Sequence, residues 1–214
     1  MARVIGRKSM EVDRSHGVDW IPLKTIHLGY EVEDSWGSIQ FSIPDDFDEI
    51  RFEITNYMPN PTSDVYAVLG FQINAVGNHG YNDTQIMSTL MYQHQSEDSH
   101  GNNSAITNDS YWDQSATTNE VWFAKYCAEA DNNTHNRMGI SSGAGYFYLY
   151  TPHDTTRWKI WRSYFSNEST NGNQQQYQWY TGYIKTTSAI NQIKFGSSNG
   201  TISSADITMY GLSK

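Results

Sequence analysis

The chain is short of cysteine, of positive charge and of long apolar runs. Cys127 is its single cysteine in 214 residues, so no internal disulfide staples the fold and cysteine usage leaves the redox compartment open. Its setting, Trp122-Phe123-Ala124-Lys125-Tyr126-Cys127, is that of a small buried thiol rather than a reactive one. Lys and Arg total 14 against 23 Asp and Glu, a formal charge of -9. Phosphate binding needs clustered cations that release counterions, so no nucleic-acid partner is expected. No apolar stretch approaches a membrane span and no secretory h-region opens the sequence, so no membrane partner is expected either. Asn-x-Ser/Thr sequons such as Asn82-Asp83-Thr84 and Asn199-Gly200-Thr201 follow by chance from an Asn-rich composition and are not read as glycosylation sites.

Helical periodicity is missing too. No window of about a dozen residues places apolar positions at helical spacing behind a cap, which argues against an α/β fold. No repeat and no linker divides the body, which argues against a solenoid, a propeller or two domains.

What is present is aromatic and polar. Charged residues are 17% of the chain and aromatics 14%, including 15 Tyr and 7 Trp, the rest being rich in Ser, Thr, Asn, Gln and Gly. Such residues suit strands with one face in a core and one face wet. Ser38 to Ile43 places its apolar residues at odd positions and Ile50 to Thr55 at even ones, with Pro44-Asp45-Asp46 between them, which reads as two neighbouring strands. Val65 to Ile73 is apolar on both faces and predicts a central strand. Further strands are expected at Ile86 to Tyr92, Val121 to Ala128, Tyr146 to Tyr150, Arg157 to Phe165, Tyr177 to Ile184, Ile190 to Phe195 and Ile207 to Leu212. Gln93 to Gln114 and Asp131 to Gly145 read as long surface loops. The expected fold is an all-β jelly-roll or Greek-key sandwich of roughly ten strands spanning residues 23–214, preceded by a short extended arm at residues 1–22.

Little in the sequence points to chemistry. Asp45, Asp46, Asp48 and Glu49 lack the spacing of a calcium loop, and His94, His100 and His135 lack a tight ligand pair, so no metal and no cofactor is expected. Gly139-Ile140-Ser141-Ser142-Gly143 fits a nucleophile elbow in letters but has no helix after it, and reads as a turn. Glu97, Asp98, Asp109 and Asp113 lie in polar segments that would not raise a general acid's pKa by burial. No catalytic residue is assigned. Two features point to contacts instead. Arg3, Val4, Ile5, Arg7 and Lys8 make a locally basic arm suited to docking on an acidic neighbour. Tyr111 with Trp112, and Trp158 with Trp161, fall on opposite faces by parity, so each pair offers an exposed aromatic contact unless both faces are buried.

Ser35-Trp36-Gly37-Ser38-Ile39-Gln40-Phe41, Phe47 to Ile54, Leu69 to Asn74, Ala189 to Phe195 and Ala205 to Leu212 with its Tyr210-Gly211 ending together resemble a family of virion structural proteins of tailed phages, especially marine and cyanobacterial ones. The likeness covers about residues 25–92 and 189–212, and its motifs are structural. It implies that Ile193 and Phe195 fill the core, that Gly211 allows a tight end to a closing hairpin, and that the charges from Asp48 to Glu53 face outward. It also implies a place on the virion, as capsid decoration or as a tail or fibre component, with other virion proteins as partners and a homo-oligomeric state. The alternative is a carbohydrate- or receptor-binding module at a tail or fibre tip, with a host-surface glycan as ligand.

Overall fold

The computed structural model describes residues 20–28, 38–60, 69–81, 86–97, 103–109, 113–118, 121–122, 143–168, 174–197 and 201–213. Thirteen strands form among them, in chain order β1 (Trp20–Leu28), β2 (Ser38–Ser42), β3 (Phe47–Asn60), β4 (Leu69–Ala75), β5 (Ile86–Glu97), β6 (Asn103–Asp109), β7 (Asp113–Thr118), β8 (Val121–Trp122), β9 (Gly143–Tyr150), β10 (Lys159–Glu168), β11 (Gln174–Ile184), β12 (Ile190–Ser197) and β13 (Thr201–Ser213). They make two antiparallel sheets packed as a β-sandwich. The large sheet runs β1-β13-β3-β9-β10-β11-β5-β6, with β7 also on β5, and the small one runs β2-β12-β4-β8. The all-β expectation holds.

Strand faces follow the alternation in the sequence. Ile39, Phe41 and Ile43 are buried, as are Ile50, Phe52 and Ile54. β4 is buried along nearly its whole length and lies between β12 and β8, the interior position expected for it. Six aromatic residues join the sheets. Phe41 of β2 packs edge-on against Phe52 of β3 at 5.1 Å between ring centroids. Phe195 of β12 meets the same Phe52 at 5.0 Å. Phe71 of β4 reaches Phe147 of β9 at 4.6 Å and Trp161 of β10 at 4.8 Å. Edge-to-face geometry sets the positive rim of one ring against the negative face of the next and adds to the area that each buries.

Several expectations are corrected. β2 and β3 are not neighbours; they lie in opposite sheets, and their alternation marks two walls of one core rather than one ladder. The closing hairpin is not a hairpin. Ile193, Phe195, Ile207 and Met209 are all buried, but β12 pairs with β2 and β4 while β13 pairs with β1 and β3, so the chain changes sheet between them. Gln93 to Gln114 is mostly strand: β5 continues to Glu97, and β6 and β7 share one of its edges. Polar side chains do not prevent a backbone from completing a ladder. Trp20, Ile21 and Pro22, assigned to the arm, belong to β1 and pair with Leu212, Gly211 and Tyr210.

Gly211 also has a different role from the one expected. Its bare Cα lies under the ring of Phe47, where a Cβ would collide. Gly145 is still more confined, since a Cβ there would overlap the Tyr164 carbonyl and stand 2.8 Å from the Phe165 Cα. At one end of the sandwich the fully buried Lys159 donates from Nζ to the carbonyls of Thr186 at 3.0 Å and Ser188 at 2.6 Å. It thereby ties β10 to the segment that carries the chain across to β12. Burial holds its ammonium below the usual lysine pKa, with Asp154 acting weakly in the opposite sense.

Candidate functional site

β9 reads Tyr146-Phe147-Tyr148-Leu149-Tyr150, hydroxyl-bearing rings alternating with purely apolar residues. Phe147 and Leu149 are buried in the core, so the three tyrosines stand on the outer face of the large sheet. β10 adds Ile160, Arg162, Tyr164 and Ser166 to that face, and β11 adds Tyr177, Trp179, Thr181 and Tyr183. The register aligns them in rows across the strands: Tyr150, Ile160 and Tyr183; Tyr148, Arg162 and Thr181; Tyr146, Tyr164 and Trp179. Among these positions Arg162 is the one charged side chain.

Its guanidinium stands 5.4 Å from the ring centroid of Tyr148, 5.1 Å from that of Tyr150 and 5.8 Å from that of Tyr164. Each contact is attractive because the ring face carries the negative lobe of the aromatic quadrupole. Tyr148 and Tyr150 stack at 6.2 Å with 9° between their planes, so the cation borders an ordered pair. Burial raises the Tyr150 hydroxyl pKa, and the adjoining Arg162 pulls it the other way. The arginine itself is exposed.

Arg51 of β3 forms a second, more enclosed cluster on the same face. It lies 4.8 Å from the ring of Trp20, 5.6 Å from Tyr146 and 4.5 Å from Tyr210. There the counter-charge is built in: the Tyr210 hydroxyl donates to Glu53 Oε2 at 2.9 Å. Burial, and then the hydrogen bond and charge of Glu53, raise the pKa of that hydroxyl. Arg51 thus serves the packing between β1, β13, β3 and β9, whereas Arg162 faces outward and, among the described residues, makes no salt bridge.

The aromatic residues singled out from the sequence fare differently. Trp158 is 51% exposed just before β10, with the Lys185 ammonium 5.7 Å from its ring. Trp161 is corrected: it is 0% exposed and belongs to the core cluster with Phe71 and Phe147. Parity separated the two tryptophans but did not say which one faced inward. Tyr111 and Trp112, and Arg3, Val4, Ile5, Arg7 and Lys8, lie outside the described residues. Arg162, Tyr164, Trp179 and Tyr183 were missed. The signal for them was the Tyr-x-Tyr-x-Tyr run of β9 with the alternating Tyr177, Trp179 and Tyr183 of β11.

Among the described residues no group of three His, Cys, Asp or Glu could hold a metal ion, and no helix is long and apolar enough to cross a membrane. No family model, curated protein or solved structure matches this chain. The face carries flat rings with polar tips, an exposed cation at Arg162 and a more enclosed one at Arg51.

Proposed function

We propose that the chain is a non-enzymatic accessory structural protein on the exterior of a tailed-phage virion, a capsid decoration or a tail or fibre component, attached to other virion proteins as a homo-oligomer. The observation that carries this reading is where the phage-like segments fall. They coincide with β2, β3, β4, β12 and β13, and Phe41, Phe52, Phe71 and Phe195 from four of these strands meet the same core. The resemblance therefore rests on the unit that builds the sandwich rather than on scattered surface positions. The succession of β2, β3, β4 and β5 in alternate sheets supports the jelly-roll form of that unit. A stable domain repeated by particle symmetry gains attachment from many weak contacts together. The test is quantitative mass spectrometry of purified particles of the phage that encodes it. A constant copy number per particle is expected, and absence from intact particles would overturn the reading.

The outer aromatic face favours a second reading, a carbohydrate- or receptor-binding module at a tail or fibre tip. Exposed Tyr164, Trp179 and Tyr183 are the groups that such a module presents to a sugar ring.

A further inference from the structure

We propose that the outer face of β10 and β11 binds a carboxylated saccharide, with the carboxylate on Arg162 and sugar rings on Trp179 and Tyr183. The inference rests on the glycan-binding reading above and adds the ligand's charge and its subsite.

Arg162 lies opposite Thr181, in the row between Tyr164–Trp179 and Ile160–Tyr183. Two residues along a strand span about 7 Å, so ring platforms flank the guanidinium at that distance on either side. Trp179 is 36% exposed and Tyr183 50%. With Tyr177 they extend the stripe to about 20 Å along β11, room for several linked sugar rings. A pyranose has an apolar C–H face and hydroxyl edges, which match an aromatic face flanked by phenolic tips.

The charge of the ligand follows from Arg162. A guanidinium is a planar fork that pairs with a carboxylate through two parallel hydrogen bonds. The neighbouring tyrosine rings restrict the side chain before any ligand arrives, so less freedom is lost on pairing. Among the described residues its neighbours are these rings, and the salt bridges involve His27 with Asp206, His153 with Asp45 and Arg157 with Asp154. Among the described side chains of β9, β10 and β11 no acid stands on this face; Glu49 and Glu53 of β3 lie one strand beyond β9, opposite Tyr150 and Tyr146, and Glu53 already accepts from the Tyr210 hydroxyl.

Other occupants match the face less well. A second copy docked about an axis through the centre of the patch would bring two Arg162 side chains together, with the carboxylates of Glu49 and Glu53 two strands away on β3. Nucleic acid needs clustered cations, and the patch has one in a chain of net charge -9. A protein partner is anchored by side chains filling pockets, whereas these residues stand in level rows on one sheet face.

The test is calorimetric titration of the full-length protein with polygalacturonate and alginate, each beside its methyl-esterified form. Binding to both acids is expected. Arg162→Ala and esterification each weaken it at least about tenfold, as loss of a bidentate charged contact predicts, and Arg162→Lys gives an intermediate loss. Trp179→Ala and Tyr183→Ala weaken the acidic and the esterified forms alike, while Lys185→Ala, beside Trp158, changes neither. Circular dichroism of each variant confirms that the sandwich is retained. Equal affinity for acid and ester, or no effect of Arg162→Ala, overturns the carboxylate assignment and leaves the glycan reading standing. Failure of all four polymers to bind overturns both. A concentration-dependent dimer in sedimentation that Trp179→Ala abolishes assigns the face to a second copy and overturns the proposal.

Discussion

The ammonium of Lys159 donates to the Ser188 carbonyl at 2.6 Å, across the turn by which the chain leaves the large sheet for the small one. The side chain is fully buried, so replacing it with Met strands two acceptors, the carbonyls of Thr186 and Ser188. An unsatisfied buried polar group costs about 1–3 kcal/mol, partly offset here by the removal of a buried charge. Lys159→Met should therefore destabilise by about 1–3 kcal/mol in urea unfolding. The pH dependence carries a second signature. Burial depresses the folded pKa of this lysine, so between that value and the ordinary lysine pKa the unfolded chain binds more protons and stability rises with pH. That part of the rise should disappear in Lys159→Met. Parallel stability–pH curves for the two proteins from neutral to alkaline pH would contradict it.

Gly145→Ala should be among the most damaging single-methyl changes in the molecule. The new methyl would overlap the Tyr164 carbonyl and the Phe165 ring, and close-packed backbone moves little to accommodate it, so a loss of about 3 kcal/mol or more is expected. Gly77 has φ +89° but open space around it, and alanine there meets only backbone strain, about 1–2 kcal/mol. Thermal unfolding of the two variants ranks them, and the reverse order would refute the packing argument.

Trp161→Ala and Trp158→Ala test the separation of the two tryptophans. The first opens a cavity beside Phe71 and Phe147 and should cost about 3–5 kcal/mol. The second removes a half-exposed ring near Lys185 and should stay within about 0.5 kcal/mol. Equal effects in denaturant titration would place both rings in the same environment, contrary to the structure.

Asn56 has φ 53° in β3, and its amide donates to Asp206 Oδ2 at 2.6 Å, while His27 Nδ1 meets Oδ1 of the same carboxylate at 2.7 Å. Asn56→Ala keeps a Cβ in the left-handed region but loses the amide whose hydrogen bonding offsets that strain in asparagine, at a cost of about 1–2 kcal/mol. Asn56→Gly loses the hydrogen bond but meets no steric strain, so it should be the milder variant. A milder alanine variant would show that φ strain is not what selects asparagine there.

Much of the core was legible in the sequence. Period-two alternation put Phe41 and Phe52 on the apolar faces of their strands, because a strand puts successive side chains on opposite faces, and the family resemblance implied that Ile193 and Phe195 fill the core. The partner of each strand was not legible. Phe41 and Phe52 belong to strands adjacent in sequence, yet they meet across the core from different sheets. Alternation is the same whether two strands share a ladder or face each other.

The strand at Gln93 to Glu97 was read as loop for a related reason. Its residues are polar, but its hydrogen bonds come from the backbone, and β11 and β6 supply the partners. Trp158 and Trp161 show the limit on the aromatic side, since parity divides them without orienting either.

By itself the sequence determined an all-β chain with one disulfide-free core, aromatic strands and polar outward positions, because those properties depend on residue type and local period. Only the tertiary structure decided that Tyr148, Arg162 and Thr181 form one row, with Tyr164–Trp179 on one side and Ile160–Tyr183 on the other. That arrangement depends on the register of three strands. Register is a long-range choice, made by the packing of Phe147, Leu149, Trp161 and Tyr180 on the opposite face.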